Sequence, residues 1–208
     1  MNSKKTVQSQ AIKLCECAIM IALAIVLDFF SKGISSFIFP DIWVNGGGIT
    51  LSMVPLVFIA YRHGNKWGLL TAFVFSGIQI LTGWYAPPAG TALSFVLCVL
   101  LDYVLAFTVL GLSNFFASFI KDKVLGYAFG AFVVCMLRFV CSFLSGAILW
   151  GEYITWGFTS VWLYSFVYNI SYMLPNAILT SVIIYGLCKV MDPKTLKRNV
   201  KEAQNEEQ

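Results

Sequence analysis

Long apolar runs, each broad enough to cross a bilayer, recur along this chain and restrict its fold more than any other feature. A helix needs about 20 apolar residues to cross a hydrocarbon core roughly 30 Å thick. The stretch AFVVCMLRFVCSFLSGAILW meets that length with a single charge. Of the 208 residues, 59% are hydrophobic and 12% charged, a balance that a water-soluble domain could not solvate. Lipid offers no hydrogen bonds to the backbone, so the spans are read as helices. The expected fold is an all-α integral membrane protein, a bundle of six transmembrane helices. The spans fall at about 11–31, 48–61, 66–83, 91–119, 124–149 and 160–190.

Residues 1–190 are read as one membrane domain and 191–208 as a polar, frayed tail. The first apolar stretch runs into Ser31-Lys32-Gly33 and not into a small-residue cleavage pattern, so it is expected to be retained. Span 2 is short, follows Gly46-Gly47-Gly48 and carries Pro55. Non-helical backbone is expected there, which a membrane tolerates only against protein or a water-filled cavity. Lys4, Lys5, Lys13, Arg62, Lys66, Lys121, Lys123, Lys189, Lys194, Lys197, Arg198 and Lys201 all fall on one side of a six-span topology, opposite Lys32. Basic loops stay inside, so both termini are expected to be cytoplasmic. The net charge of +4 follows from this bias and gives no reason to expect nucleic acid as a partner.

Between spans 5 and 6 the segment WGEYITWGFTSVWLYSFVYN gathers Trp150, Trp156 and Trp162 around one acid, Glu152. An aromatic belt at the membrane surface accounts for part of this. It does not account for the crowding in one loop, nor for Tyr164 and Asn169 continuing into span 6. Two charges lie deep in spans, Asp102 in LCVLLDYVLAF and Arg138 in VVCMLRFVCSF. Intramembrane charges face a bundle interior or cavity. Either these two neutralise each other, or Asp102 anchors a cationic ligand. Gln79 lines the same cavity or bonds a neighbouring helix. Flat rings beside a carboxylate suit a planar, cationic, heteroaromatic ligand. Cation–π attraction offers roughly 2 kcal/mol when desolvated, and each ring pair ~0.5–1.5 kcal/mol beyond area burial. Ala18 and Ala22 sit four apart on span 1, a spacing that permits close helix approach. They form an internal seam or a docking face for another membrane protein.

The chain carries no GxxxxGK[ST] loop and so hydrolyses no ATP by that route. Its one histidine, His63, lies in the turn YRHG, and there is no HExxH motif. Cys15, Cys17, Cys98, Cys135, Cys141 and Cys188 lack metal-ligand spacing and read as packing residues. No nucleophile–base pair stands out. An enzyme, a metal site and a cofactor are not expected.

The stretches ITLSMVPLVFIAYRHGNKWGLLTAFVFSGIQ, LLDYVLAFTVLGLSNFF and RFVCSFLSGAILWGEY followed by WLYSFVYNISYMLP resemble, in order and spacing, the S components of energy-coupling factor vitamin transporters, in particular the thiamine-specific branch. The resemblance covers roughly residues 11–190. It implies a multi-pass plasma-membrane protein with one buried vitamin site near the outer surface and no catalysis. It also implies assembly with a membrane coupling subunit and two cytoplasmic ATPase subunits. Ala18 and Ala22 match the family's AxxxA docking motif. Asp102 falls where that branch carries a pocket acid, Trp150, Tyr164 and Asn169 match pocket residues, and Trp156 falls at a further pocket aromatic. Arg138 stands at a position that is also basic in relatives. Ser142 stands where the branch usually has histidine, the loop before span 4 lacks the usual His-Pro and Gln, and Thr50 lies near a position that is glutamate in some members. The ligand implied is thiamine. The alternatives are a thiamine precursor or another small heteroaromatic vitamin on the same fold, and, from a different class, a stand-alone channel or enzyme.

Overall fold

The computed structural model describes residues 2–43 and 46–196, with side chains from residue 10 onward. Six helical stretches follow one another: α1 (Asn2–Ile38), α2 (Met53–His63), α3 (Asn65–Gly83), α4 (Ala92–Ala117), α5 (Lys123–Leu149) and α6 (Val161–Val190). In α1 from Gln10 onward, and in α4, α5 and α6, length and apolar composition suffice to cross a membrane. The last part of the polar tail, residues 197–208, lies outside the described residues.

The helix expected over 48–61 begins only at Met53. Residues 46–52 run as extended backbone and turn, and side chains from flanking helices satisfy their polar groups. The Ser35 hydroxyl accepts from Ile49 N–H at 3.0 Å and the Ser31 hydroxyl from Leu51 N–H at 3.2 Å. Asn176 of α6 accepts from Thr50 N–H at 2.8 Å and donates to the Gly48 carbonyl at 2.9 Å. This is the substitution that lipid demands wherever backbone leaves the helix. Pro55 sits in the first turn of α2, where its missing N–H would have had no helical acceptor. Every residue of α2 from Met53 to Tyr61 is buried, so this short helix is the central strut of the bundle.

Small residues set the helix spacings. A Cβ added to Gly68 of α3 would lie 2.8 Å from the Gly111 carbonyl of α4, and one added to Gly111 would lie 2.3 Å from the Leu69 nitrogen. The two backbones touch there, as the close crossings of membrane helices require. α5 and α6 then pack against each other along much of their length.

At one end of the bundle Glu16 of α1 is gripped by Arg62, through Nη2 at 2.6 Å, and by His63 at 2.5 Å. Arg62 Nη1 also donates to the carbonyls of Pro193 and Lys194 at 3.1 and 3.3 Å. The start of the tail, expected to fray, is thus tied down as far as Lys194. The Asn65 side chain accepts from Phe115 N–H at 3.1 Å, which brings the end of α4 to the same side. The helices therefore alternate in direction, and α1 enters the bundle at the end where α6 leaves it.

Candidate substrate-binding site

The opposite half of the bundle encloses a cavity of about 1110 Å³. Its wall is drawn from α1, the 46–47 segment, α3, α4, α5, Trp150 and α6. Asp102, Arg138, Ser142, Trp150, Tyr164 and Asn169 all line it.

Asp102 lies on a π-helical turn, Val99–Val104, inside α4. Such a turn inserts an extra residue per hydrogen-bonded ring and rotates the side chains after it, a device frequent at functional sites. Ser145 of α5 donates its hydroxyl to Asp102 Oδ2 at 2.6 Å, and the Trp150 indole N–H reaches the same oxygen at 3.2 Å. The Cys98 thiol approaches it at 3.6 Å. All three donors converge on Oδ2, while Oδ1 accepts no hydrogen bond among the described residues. The carboxylate is held rigidly by one oxygen and offers the other.

A second acid lines the cavity, which the sequence reading did not single out. Asp28 of α1 takes the Thr50 and Ser52 hydroxyls on Oδ1 at 2.9 and 3.1 Å. Its Oδ2 takes the Gln79 amide at 2.9 Å and the Lys32 ammonium at 2.8 Å. Gln79 thus both lines the cavity and bonds a neighbouring helix. Asp28 has no lone pair left over for a ligand of ordinary geometry. The signal in the sequence was the spacing of Asp28 and Lys32, four apart on one helix, which favours self-neutralisation. The π turn at Asp102 had no such signal.

The alternative in which Asp102 and Arg138 neutralise each other is not what the structure holds. The ion pairs among the described residues are Lys32–Asp28, Arg62–Glu16 and His63–Glu16. Arg138 instead lays its guanidinium over the Phe107 ring, 4.0 Å from the centroid. The two charges sit on different helices and both line the cavity, with no ion pair between them.

Aromatic rings form a column along α6. Tyr164, Tyr168 and Tyr172 recur every fourth residue and so share a face. Their centroids stand 5.6 and 6.0 Å apart, and Trp43 extends the row beyond Tyr172 at 6.4 Å. Trp43 is fixed by its indole N–H on the Ser171 hydroxyl at 2.8 Å. Trp156 does not border the cavity directly; its half-exposed ring packs on Tyr164 and Tyr168 at 6.0 and 5.6 Å from outside. It does so from a left-handed backbone conformation, φ 59°, which costs a bulky residue about 1–2 kcal/mol. Neighbouring contacts must hold that conformation in place, and strain of this kind gathers at ligand clamps. Tyr164 receives support from Thr155, whose hydroxyl lies 3.0 Å from its own. Asn169 is engaged at both ends of its amide. Tyr172 donates to its oxygen at 2.6 Å, and its nitrogen donates to the Ser165 carbonyl at 2.8 Å. The same nitrogen also reaches the Ser165 hydroxyl at 3.3 Å. Glu152, the acid in the aromatic loop, is exposed and lies outside the lining.

Ala18 and Ala22 are exposed on α1, whereas Cys17, Ala24 and Asp28 turn inward. The pair therefore forms no seam inside this bundle. Thr50 is buried in the hydrogen-bond network around Asp28 and is not part of the lining.

Comparison with known proteins is consistent with this arrangement. A family described as "Thiamine transporter protein" matches residues 14–196. Thiamine transporter ThiT of Bacillus subtilis (strain 168) is 32% identical over 206 residues, covering 95% of this chain and 98% of that one. Thiamine transporter ThiT of Lacticaseibacillus paracasei is 29% identical over 192 residues, covering 87% and 89%. A solved structure of ThiT from Listeria monocytogenes superposes with a TM-score of 0.67 at 24% identity, over 87% of this chain and 95% of that one, and so shares its fold. With a family match across most of its length and a relative above 30% identity over nearly all of it, the chain belongs to the thiamine transporter protein family, the thiamine-specific branch of the S components that its motifs resemble, and is a multi-pass protein of the plasma membrane.

Proposed function

We propose that this chain is the substrate-binding subunit of an energy-coupling factor transporter, and that it captures thiamine from outside the cell. The observation that carries the proposal is that Asp102 lines a cavity walled by aromatic residues while its hydrogen-bond donors all fall on Oδ2. A thiazolium cation meets a desolvated carboxylate there, and its charge is further favoured by the negative faces of the rings. Ser145 and Trp150 hold the acid before the ligand arrives, so little ordering entropy is lost on binding. Asn169 and Ser142, which both line the cavity, are the polar groups that would orient a neutral pyrimidine ring.

Residues 1–190 act as one membrane domain of six crossings, with both termini and the 191–208 tail in the cytoplasm. The one-sided basic residues support that orientation. The ligand enters at the end carrying the 150–160 loop, Trp43 and the 46–47 segment. The loaded subunit docks through the exposed Ala18/Ala22 face onto a membrane coupling subunit, and two cytoplasmic ATPase subunits supply the energy for release. This chain carries out no chemical step and needs no cofactor.

Ser142 and the size of the cavity favour a second reading, in which the occupant is a thiamine precursor or a related heteroaromatic vitamin on the same fold. A thermal-shift comparison of the purified chain separates the two, because a ligand that binds only the folded state raises its stability. A clear rise with thiamine and none with its isolated aminopyrimidine supports the first reading. A rise with the aminopyrimidine or another vitamin, and none with thiamine, replaces it with the second.

A further inference from the structure

Two acids border one cavity, and the chain supplies a cation to only one of them. Asp28, Lys32, Asp102 and Arg138 are the charged residues of the wall. Lys32 Nζ lies 2.8 Å from Asp28 Oδ2. Asp102 takes its hydrogen bonds from Ser145, Trp150 and Cys98, all of them neutral donors. Among the described residues Arg138 forms an ion pair with neither acid, and its guanidinium lies over the Phe107 ring.

The donors on Asp28 are unequal. Thr50, Ser52 and Gln79 are neutral and buried, part of the packed frame around α1. Lys32 alone is charged, and its side chain is 41% exposed against 11% for Asp28. Its ammonium thus reaches the acid on a long, flexible stem from the solvent side. Acids inside a membrane bundle pair with a cation or serve a polar site. At Asp28 the chain provides the cation; at Asp102 it provides none, and a ligand can. We infer that Lys32 is a specificity-determining residue: by holding Asp28 it restricts a cavity with two acids to a guest carrying one positive charge. A second cationic centre on the guest meets an ammonium already in place, a repulsive element of the kind that specific sites use alongside attractive contacts. The inference deepens the reading of this cavity as the site of a cationic heteroaromatic ligand and rests on it.

Calorimetric titration of the purified full chain with two flat probes of nearly the same shape tests this. Methyl viologen carries two pyridinium charges; its analogue with a phenyl ring in place of one pyridinium carries one. Lys32→Met should shift the ratio of their affinities toward the dication by at least about tenfold, the worth of one charge-assisted contact. A dication that gives heat only with the variant counts as such a shift. Lys32→Arg should keep the wild-type ratio. Asp28→Asn added to Lys32→Met should bring the ratio back to within about threefold of wild type, because the second charge then has no acid to meet. An ion pair that merely held the fold would lower both affinities together and leave their ratio alone. Lys32→Gln keeps a donor for Asp28 and takes over if Lys32→Met does not fold. An unshifted ratio overturns the inference, as do a shift that survives the added Asp28→Asn, no heat from either probe, or the unfolding of both Lys32 variants. Thiamine is titrated beside the probes. A shifted ratio with no heat from thiamine upholds the role of Lys32 and sinks only the thiamine reading. Thiamine binding with an unshifted ratio sinks only the role of Lys32, and the loss of both signals overturns both.

Discussion

Replacing Asp102 with asparagine tests the central feature of the site while keeping its shape. In the native chain Ser145 and Trp150 both donate to Oδ2, at 2.6 and 3.2 Å. An asparagine satisfies those donors with its amide oxygen, which leaves its NH2 group where Oδ1 had been. The cavity then presents donors to a cation in place of a negative charge. A pair of unit charges 4 Å apart is worth about 4 kcal/mol at an effective dielectric of 20. Desolvation of both ions offsets part of that, and hydrogen bonds to charged groups contribute about 1.5–3 kcal/mol net. The expected loss is therefore about 2–3 kcal/mol, or roughly 30–150-fold in Kd. Isothermal titration of thiamine into Asp102→Asn reads this directly. Glu152→Gln, an exposed acid of the nearby loop, is the control and should stay within about twofold of wild type. A folded Asp102→Asn protein that binds thiamine within about threefold of wild type would refute the reasoning, since no other unpaired carboxylate lines the cavity among the described residues.

Other substitutions probe the frame around the site. A Cβ on Gly146 would lie 2.3 Å from the Ser165 hydroxyl and 3.2 Å from the Asn169 amide nitrogen. Gly146→Ala should therefore push α5 off α6, lowering both melting temperature and thiamine affinity, with overpacking of this kind costing about 1–3 kcal/mol. Glu16→Gln leaves Arg62 and His63 without their shared carboxylate. It should destabilise the bundle by about 1–3 kcal/mol with thiamine affinity unchanged, checked by melting and calorimetry on the same sample. Ala18→Trp adds bulk to an exposed face far from the cavity lining. Binding should remain at wild-type strength while cellular thiamine uptake is lost; normal uptake would remove the docking role.

The linear order of apolar and polar residues determined much of this protein. Hydropathy located the helices, four of which are long and apolar enough to cross a membrane, because a chain in lipid must bury its own backbone hydrogen bonds and helices do so locally. The glycines and Pro55 announced the non-helical entry to α2. Asp102 and the Trp150–Asn169 aromatics were visible as polar and planar anomalies in apolar surroundings. Which acid stays open was not visible. Asp28 and Asp102 both sit in apolar helices, yet donors from α1, α3 and residues 50–52 close the first, while Ser145 and Trp150 hold only one oxygen of the second. That difference depends on the rotational phase of each helix, on a π turn and on contacts spanning up to 51 positions in the chain. Local sequence patterns carry no record of such phases. They are set where backbones meet at Gly68 and Gly111 and where Gly146 admits the Ser165 side chain, and only the packed bundle decides them.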